Sequence, residues 1–97
     1  MFIGAMRLEL RIPMSGSLKA KRHVIKGITG GVGAKFNVAV AEVDYQDQWQ
    51  RTTIGVSCVS STPFHAEKQL REIERFLERN DEIEILDAFI DVRSWED

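Results

Sequence analysis

The chain has 97 residues, 43% of them hydrophobic and 29% charged, with a formal net charge of −2. That length fits one domain (residues 1–97) with a single modest core, and that balance excludes both disorder and a general attraction to nucleic acid. The charge is split, however: residues 1–48 carry seven Lys/Arg against four acids and residues 49–97 carry six against eleven, so only a local basic surface could hold an anion.

From Phe2 to Ile12 apolar residues fall on even positions while Arg7, Glu9 and Arg11 fall on odd ones, which predicts a half-buried strand. Pro13 ends it, Met14 to Gly16 form a connection, and Ser17 is suited to cap a helix. The next segment places Leu18, Ile25, Ile28, Val32 and Phe36 on one helical stripe, expected to face the sheet. Lys19, His23 and Lys26 lie on the exposed side, and Lys21 and Arg22 flank the buried stripe, from where they could reach along the sheet edge.

The second half of this helix is weak, because Gly27, Gly30, Gly31 and Gly33 would each cost about 0.5–1 kcal/mol relative to alanine. Bare backbone of this kind either admits a partner or a phosphate at close range or simply marks a frayed or broken helix, and the second reading is the one expected. A phosphate loop is excluded, since the glycines follow a helical pattern and Gly-Lys-Ser/Thr is absent.

Asn37 to Val56 reads as two strands around a polar connection. Val38 and Val40 alternate before the acids Glu42, Asp44 and Asp47, and alternation resumes at Ile54, Val56 and Cys58. Tyr45 to Trp49 contains no Asn-Gly or Asp-Gly pair, so a longer or bulged loop is expected rather than a two-residue turn. Thr62 then caps a helix with Pro63 at its first position, running to about Arg79. Ala66, Leu70, Ile73 and Leu77 form its apolar stripe with Phe76 alongside, and Glu67 and Arg71 form an i,i+4 pair on the wet side. Ile83 to Val92 is the last strand, with Leu86, Ala88, Ile90 and Val92 assigned to one face and Asp87, Phe89 and Asp91 to the other.

Strand, helix, strand, strand, helix, strand is the α+β, ferredoxin-like βαββαβ order, with two helices on one face of a four-stranded antiparallel sheet. Its opposite face is open, and would carry Ile3, Ala5, Arg7, Glu9 and Arg11 beside Thr53, Gly55 and Ser57, with Asp87 and Phe89 next to them. No stretch of about eighteen apolar residues is present and the amino terminus lacks a basic segment followed by an apolar one, which predicts a cytoplasmic protein without membrane contact.

Two segments stand out as candidate sites. Lys19, Lys21, Arg22, His23 and Lys26 gather positive charge at the start of a helix, where the dipole also favours anions; the alternative is a solvated charged surface. In the loop, Glu42, Asp44, Gln46, Asp47 and Gln50 could ligate a hard cation, but pairing with Arg51 and the basic helix is expected instead. Trp49 could stack a base, yet a lone tryptophan at a strand entrance is expected to cover the end of the core. Cys58 falls on an apolar strand face and reads as core, and with His23 and His65 far apart in sequence no zinc or transition-metal set is expected, nor any cofactor.

Ser17-Leu18-Lys19-Ala20-Lys21-Arg22, then Phe36-Asn37-Val38, then Ala41-Glu42-Val43-Asp44-Tyr45-Gln46-Asp47-Gln48-Trp49-Gln50-Arg51 together resemble the YlxP-like family of small uncharacterised bacterial proteins, over nearly the whole chain. The resemblance implies a ferredoxin-like fold and genes placed beside those of translation and ribosome-maturation factors, and no established activity. The chain departs from it at Gly27 to Gly33, where relatives usually carry bulkier, often charged residues. Three functional expectations result: a non-enzymatic module that binds RNA or a ribosomal particle through the basic helix start, a homo-oligomer paired through the open sheet face or an edge strand, and, by analogy of fold alone, an acylphosphatase-like hydrolase. For the last, Ile12 to Ser17 lacks the glycine-rich, arginine-ending loop of that enzyme class.

Overall fold

A computed structural model describes residues 1–96. The elements run β1 (Phe2–Arg11), α1 (Leu18–Lys35), β2 (Ala39–Asp44), β3 (Arg51–Ser60), α2 (Pro63–Glu78) and β4 (Glu84–Ser94). The sheet is antiparallel in the order β2-β3-β1-β4, so β1 and β3 are central. This is the ferredoxin-like architecture. No helix among the described residues is long and apolar enough to cross a membrane.

The core lies between helices and sheet. Met6, Leu8, Leu10 and Ile12 of the first strand segment meet Ile54, Val56 and Cys58 of β3 on one side and Ala66, Leu70, Ile73 and Leu77 of α2 on the other. The alternation of β1 explains this: its even residues from Gly4 onward are buried, while Ala5, Arg7 and Arg11 reach the open face. Both helix starts are capped as their sequences require, Ser17 Oγ accepting from the Ala20 amide and Thr62 Oγ1 from the His65 amide. The wet side of α2 carries the Glu67–Arg71 pair, at 3.5 Å. Gly4 is a core position where a side chain would crowd its neighbours, since a Cβ there would stand 3.0 Å from both Cys58 Sγ and Leu70 Cδ1.

Three details differ from the expectations of pattern. First, α1 remains helical through all four glycines. Ile28 and Val32 are fully buried on its inner side, Gly31 lies against the Phe76 ring, and the Phe36 amide closes the last turn on the Val32 carbonyl; tertiary packing holds what propensity would release. Second, the inner stripe of α1 is Lys21, Val24, Ile28 and Val32, with Ile25 only half-buried. Third, a bulge between Glu9 and Leu10 in the β1–β4 register turns Leu86 outward and gives Ile85 its inward place.

Candidate functional site

The loop between β2 and β3 folds over the start of α1, and three side chains fix it there. Lys21 is fully buried; its ammonium donates to the Tyr45 carbonyl oxygen and stands 3.0 Å from Glu42 Oε2. The same carboxylate accepts from Thr52 Oγ1 at 2.5 Å. From the other side, Gln50 Nε2 donates to the carbonyls of Pro13 at 3.3 Å and Ser15 at 3.2 Å, and the Ile12 amide donates to the Gln50 carbonyl. The β1–α1 connection and the hairpin loop are thereby one polar-laced unit at one end of the sheet.

A second bulge, at Val43 in the β2–β3 register, prepares this arrangement. Val43 swings over Gly55, where a Cβ would approach its Cγ1 to 3.0 Å. Tyr45 follows at φ 61, the left-handed region that side chains disfavour by about 1–2 kcal/mol. The conformation is held by its neighbours: Asp44 Oδ1 accepts from the Tyr45 amide at 2.7 Å, Lys21 and the Gln48 amide share its carbonyl, and the Arg51 guanidinium lies 4.9 Å from its ring centre.

These positions revise the sequence expectations residue by residue. Lys21 leaves the set of anion contacts, because it occupies a core-facing helical position and its charge is already matched by Glu42. Lys19, Arg22, His23 and Lys26 are exposed. Glu42 pairs with the basic helix, but Arg51 does not take the loop acids. As an odd-numbered residue of β3 it emerges on the open face, 3.5 Å from Glu9, and its Nε is buried without a partner. Gln46 and Asp47 are exposed on the loop. Trp49 does not cover the core; it is 53% exposed and lines a recess of about 540 Å³ with Arg11, Gln48, Gln50, Arg51 and Leu86. Polar ties hold the loop end closed, which leaves the indole free.

A further recess of about 560 Å³ opens between α1 and the α2–β4 connection. Lys19 and His23, four apart on α1, border it, with Ile12 and Val24 among its apolar residues, and Asp81 and Glu82 also line it. It is therefore electrically mixed, and its two acids oppose a phosphate there. Among the described residues no group of three or more His, Cys, Asp or Glu side chains stands close enough to hold a metal ion.

On the open face Glu9 collects its own set of donors: Arg7 Nε at 2.8 Å, Thr53 Oγ1 at 2.9 Å and Arg51 Nη2 at 3.5 Å. Burial pushes the Glu9 carboxyl up, but the hydrogen bonds from Thr53 and Arg7, the Arg7 charge and the bond from Arg51 outweigh it and hold the group below its ordinary value. Alternation assigns Glu9 to the open face without revealing it as a hub; the register pairs Glu9–Thr53 and Arg11–Arg51 are the signal for that role. Cys58 is buried, and burial pushes its thiol up, which suits a core residue.

Two comparisons bear on kinship. Residues 3–90 match the family described as "Protein of unknown function (DUF503)". The chain is also 45% identical over 82 residues to "Uncharacterized protein YlxP" of Bacillus subtilis (strain 168), an alignment that covers 84% of this chain and 89% of that relative.

Proposed function

Because the chain belongs to the family described as protein of unknown function (DUF503), its role has to be read from its own surface, and we propose a non-enzymatic module that binds RNA, free or within a ribosomal particle. The observation that carries this reading is Trp49, an exposed indole in one recess with Arg11 and Arg51, displayed by a loop that Lys21 and Gln50 lock to the start of α1. An aromatic face beside two guanidinium groups suits an unpaired base and its phosphates, since stacking is tolerant of sequence and the cations track the backbone. Arg22 and Lys26, both exposed on α1 and neither lining the recess that holds Asp81 and Glu82, are further candidate contacts for phosphates.

The locked loop supports a binding role in a second way. Left-handed Tyr45, unfavourable in itself, is held by Asp44, Lys21 and the Gln48 amide, which gives the loop that carries Trp49 a fixed base. Hydrolysis finds less support, because the β1–α1 connection directs the Pro13 and Ser15 carbonyls to Gln50 and faces two acids across the neighbouring recess. Carbonyl oxygens and carboxylates repel a phosphate rather than cradle it.

The test is binding of the purified protein to structured RNA and to ribosomal particles over a salt series. Affinity should fall with salt. Arg22→Ala with Lys26→Ala should reduce the slope of log affinity against log salt by about 1 for each phosphate no longer neutralised. Trp49→Ala should weaken binding by about 1–3 kcal/mol with little change of slope. No salt-sensitive binding to either probe would remove the reading.

A further inference from the structure

β4 is an outer strand of eleven residues, paired on one side only with β1. The direction of its backbone groups follows from two hydrogen bonds. The Trp95 amide donates to the Met1 carbonyl at 2.8 Å, toward β1, whereas the Ala88 amide donates to Asp87 Oδ1 at 2.9 Å and to no strand. Backbone direction alternates along a strand, so Ala88, Ile90 and Val92 present their amides and carbonyls along the free edge. The bulge at Leu86 and the Asp87 cap on the Ala88 amide blunt the edge at its start; beyond Ala88 the edge has neither device.

We propose that this edge pairs with a second copy of the chain, antiparallel and centred on Ile90, to give a continuous eight-stranded sheet. Charge complementarity and side-chain facing select this register. A two-fold axis at Ile90 sets Ile90 against itself and Ala88 against the partner's Val92. These residues lie on the helix side and are only partly buried within one chain, so the pairing covers apolar surface. On the open side it sets Asp87 opposite the partner's Arg93, twice by symmetry, and Asp91 opposite the partner's Phe89. Centring on Phe89 would instead oppose Asp87 and Asp91, and centring on Asp91 would oppose that carboxylate to itself. Centring on Val92 would also match charges, Asp91 against the partner's Arg93, but it would set Ile90 against Ser94 and leave Ala88 opposite a residue past the strand end at Ser94.

Within one chain Arg93 holds Asp91 at 2.7 Å, but both side chains are largely exposed, so the guanidinium is free to bridge to the partner's Asp87. That carboxylate in turn gives up the Ala88 amide, which then donates to the partner's Val92 carbonyl. The Ile90 register thus matches charges while pairing Ala88, Ile90 and Val92 along the whole of the free edge.

Sedimentation equilibrium of the full chain tests the proposal. The wild-type protein should be dimeric at high micromolar concentration. Arg93→Asp should raise the dimer dissociation constant by about tenfold or more, and Asp87→Arg combined with Arg93→Asp should return it toward the wild-type value. Hydrogen exchange gives a readout that needs no variant: the Ala88, Ile90 and Val92 amides should gain protection as concentration rises. A monomer throughout, a dimer indifferent to Arg93→Asp, or a double variant that does not recover would each overturn the register, and with it the proposal. RNA binding through Trp49 is independent of these outcomes.

Discussion

Lys21 of α1 and Glu42 of β2 form an ion pair of 3.0 Å, with the lysine fully buried and the carboxylate mostly so. This pair joins the first helix to the outer strand at the point where the hairpin loop begins. Desolvation of both charges is offset by Thr52 Oγ1 on the carboxylate and by the Tyr45 carbonyl on the ammonium.

Removing one partner should therefore hurt more than removing both. Lys21→Met is expected to lower stability by about 3 kcal/mol, because it leaves Glu42 with an unpaired charge beside the core. Lys21→Met with Glu42→Gln should recover part of that loss, giving a favourable coupling in a double-mutant cycle. Urea denaturation of the three variants and the parent checks both statements.

The Glu9 hub predicts an acid-sensitive contribution. A carboxyl held below its ordinary value in the folded chain stabilises the fold above the unfolded value, and that stabilisation fades as pH falls through the folded one. Glu9→Gln should be destabilised by roughly 1 kcal/mol at neutral pH, and its stability curve should converge on that of the parent in strong acid. Denaturant midpoints measured across the acid range give the comparison.

Gly27, Gly30 and Gly33 face open space, with no atom within 4 Å of a Cβ built on any of them. Nothing within the chain requires glycine at these places. Changing all three to alanine should stabilise the protein by about 1.5–3 kcal/mol through helix propensity alone, read as a higher midpoint in thermal unfolding.

Gly4→Ala should act in the opposite sense. The new methyl would press on Cys58 Sγ and Leu70 Cδ1 at 3.0 Å and on Ala66 Cβ at 3.3 Å, which predicts a loss of about 1–3 kcal/mol by overpacking. Thermal unfolding reports it, and the Cys58 thiol, buried in the parent, should become more reactive to an alkylating reagent in the variant.

Most of the architecture is written in local pattern. The two-residue alternation of β1, the stripe of α2 with Thr62 and Pro63 at its start, and the absence of a tight-turn pair in the hairpin each have a short-range cause, and each element stands where that cause puts it. What escapes local pattern depends on residues far apart in sequence. Lys21 reads as flanking the buried stripe, and pairing of the loop acids with the basic helix is expected, but that Lys21 is itself core-facing and meets Glu42, next in line after Val38 and Val40 on the inward side of its strand, depends on the fold. Lys21, Val24, Ile28 and Val32 also fall on one helical stripe, so the inward course is visible to a reading that lets a lysine sit among apolar residues. Leu86 is misplaced by alternation because Ile85 and Leu86 are both apolar, and their order cannot show which one a bulge expels. Trp49 is expected to be covered; polar side chains close that end of the fold in its place.

The continuity of α1 through its bare second half has a consequence for how the molecule opens. Helical hydrogen bonds there are shielded by few side chains on the outer surface, so the amides between Gly27 and Ala34 should exchange with solvent through local fluctuations rather than global unfolding. The amides from Lys21 to Lys26, which have helical acceptors in the part of α1 that Lys21 pins, should exchange more slowly. The helix is thus a gradient of stability along a single rod, firm where the loop is anchored and loose where it runs toward β2.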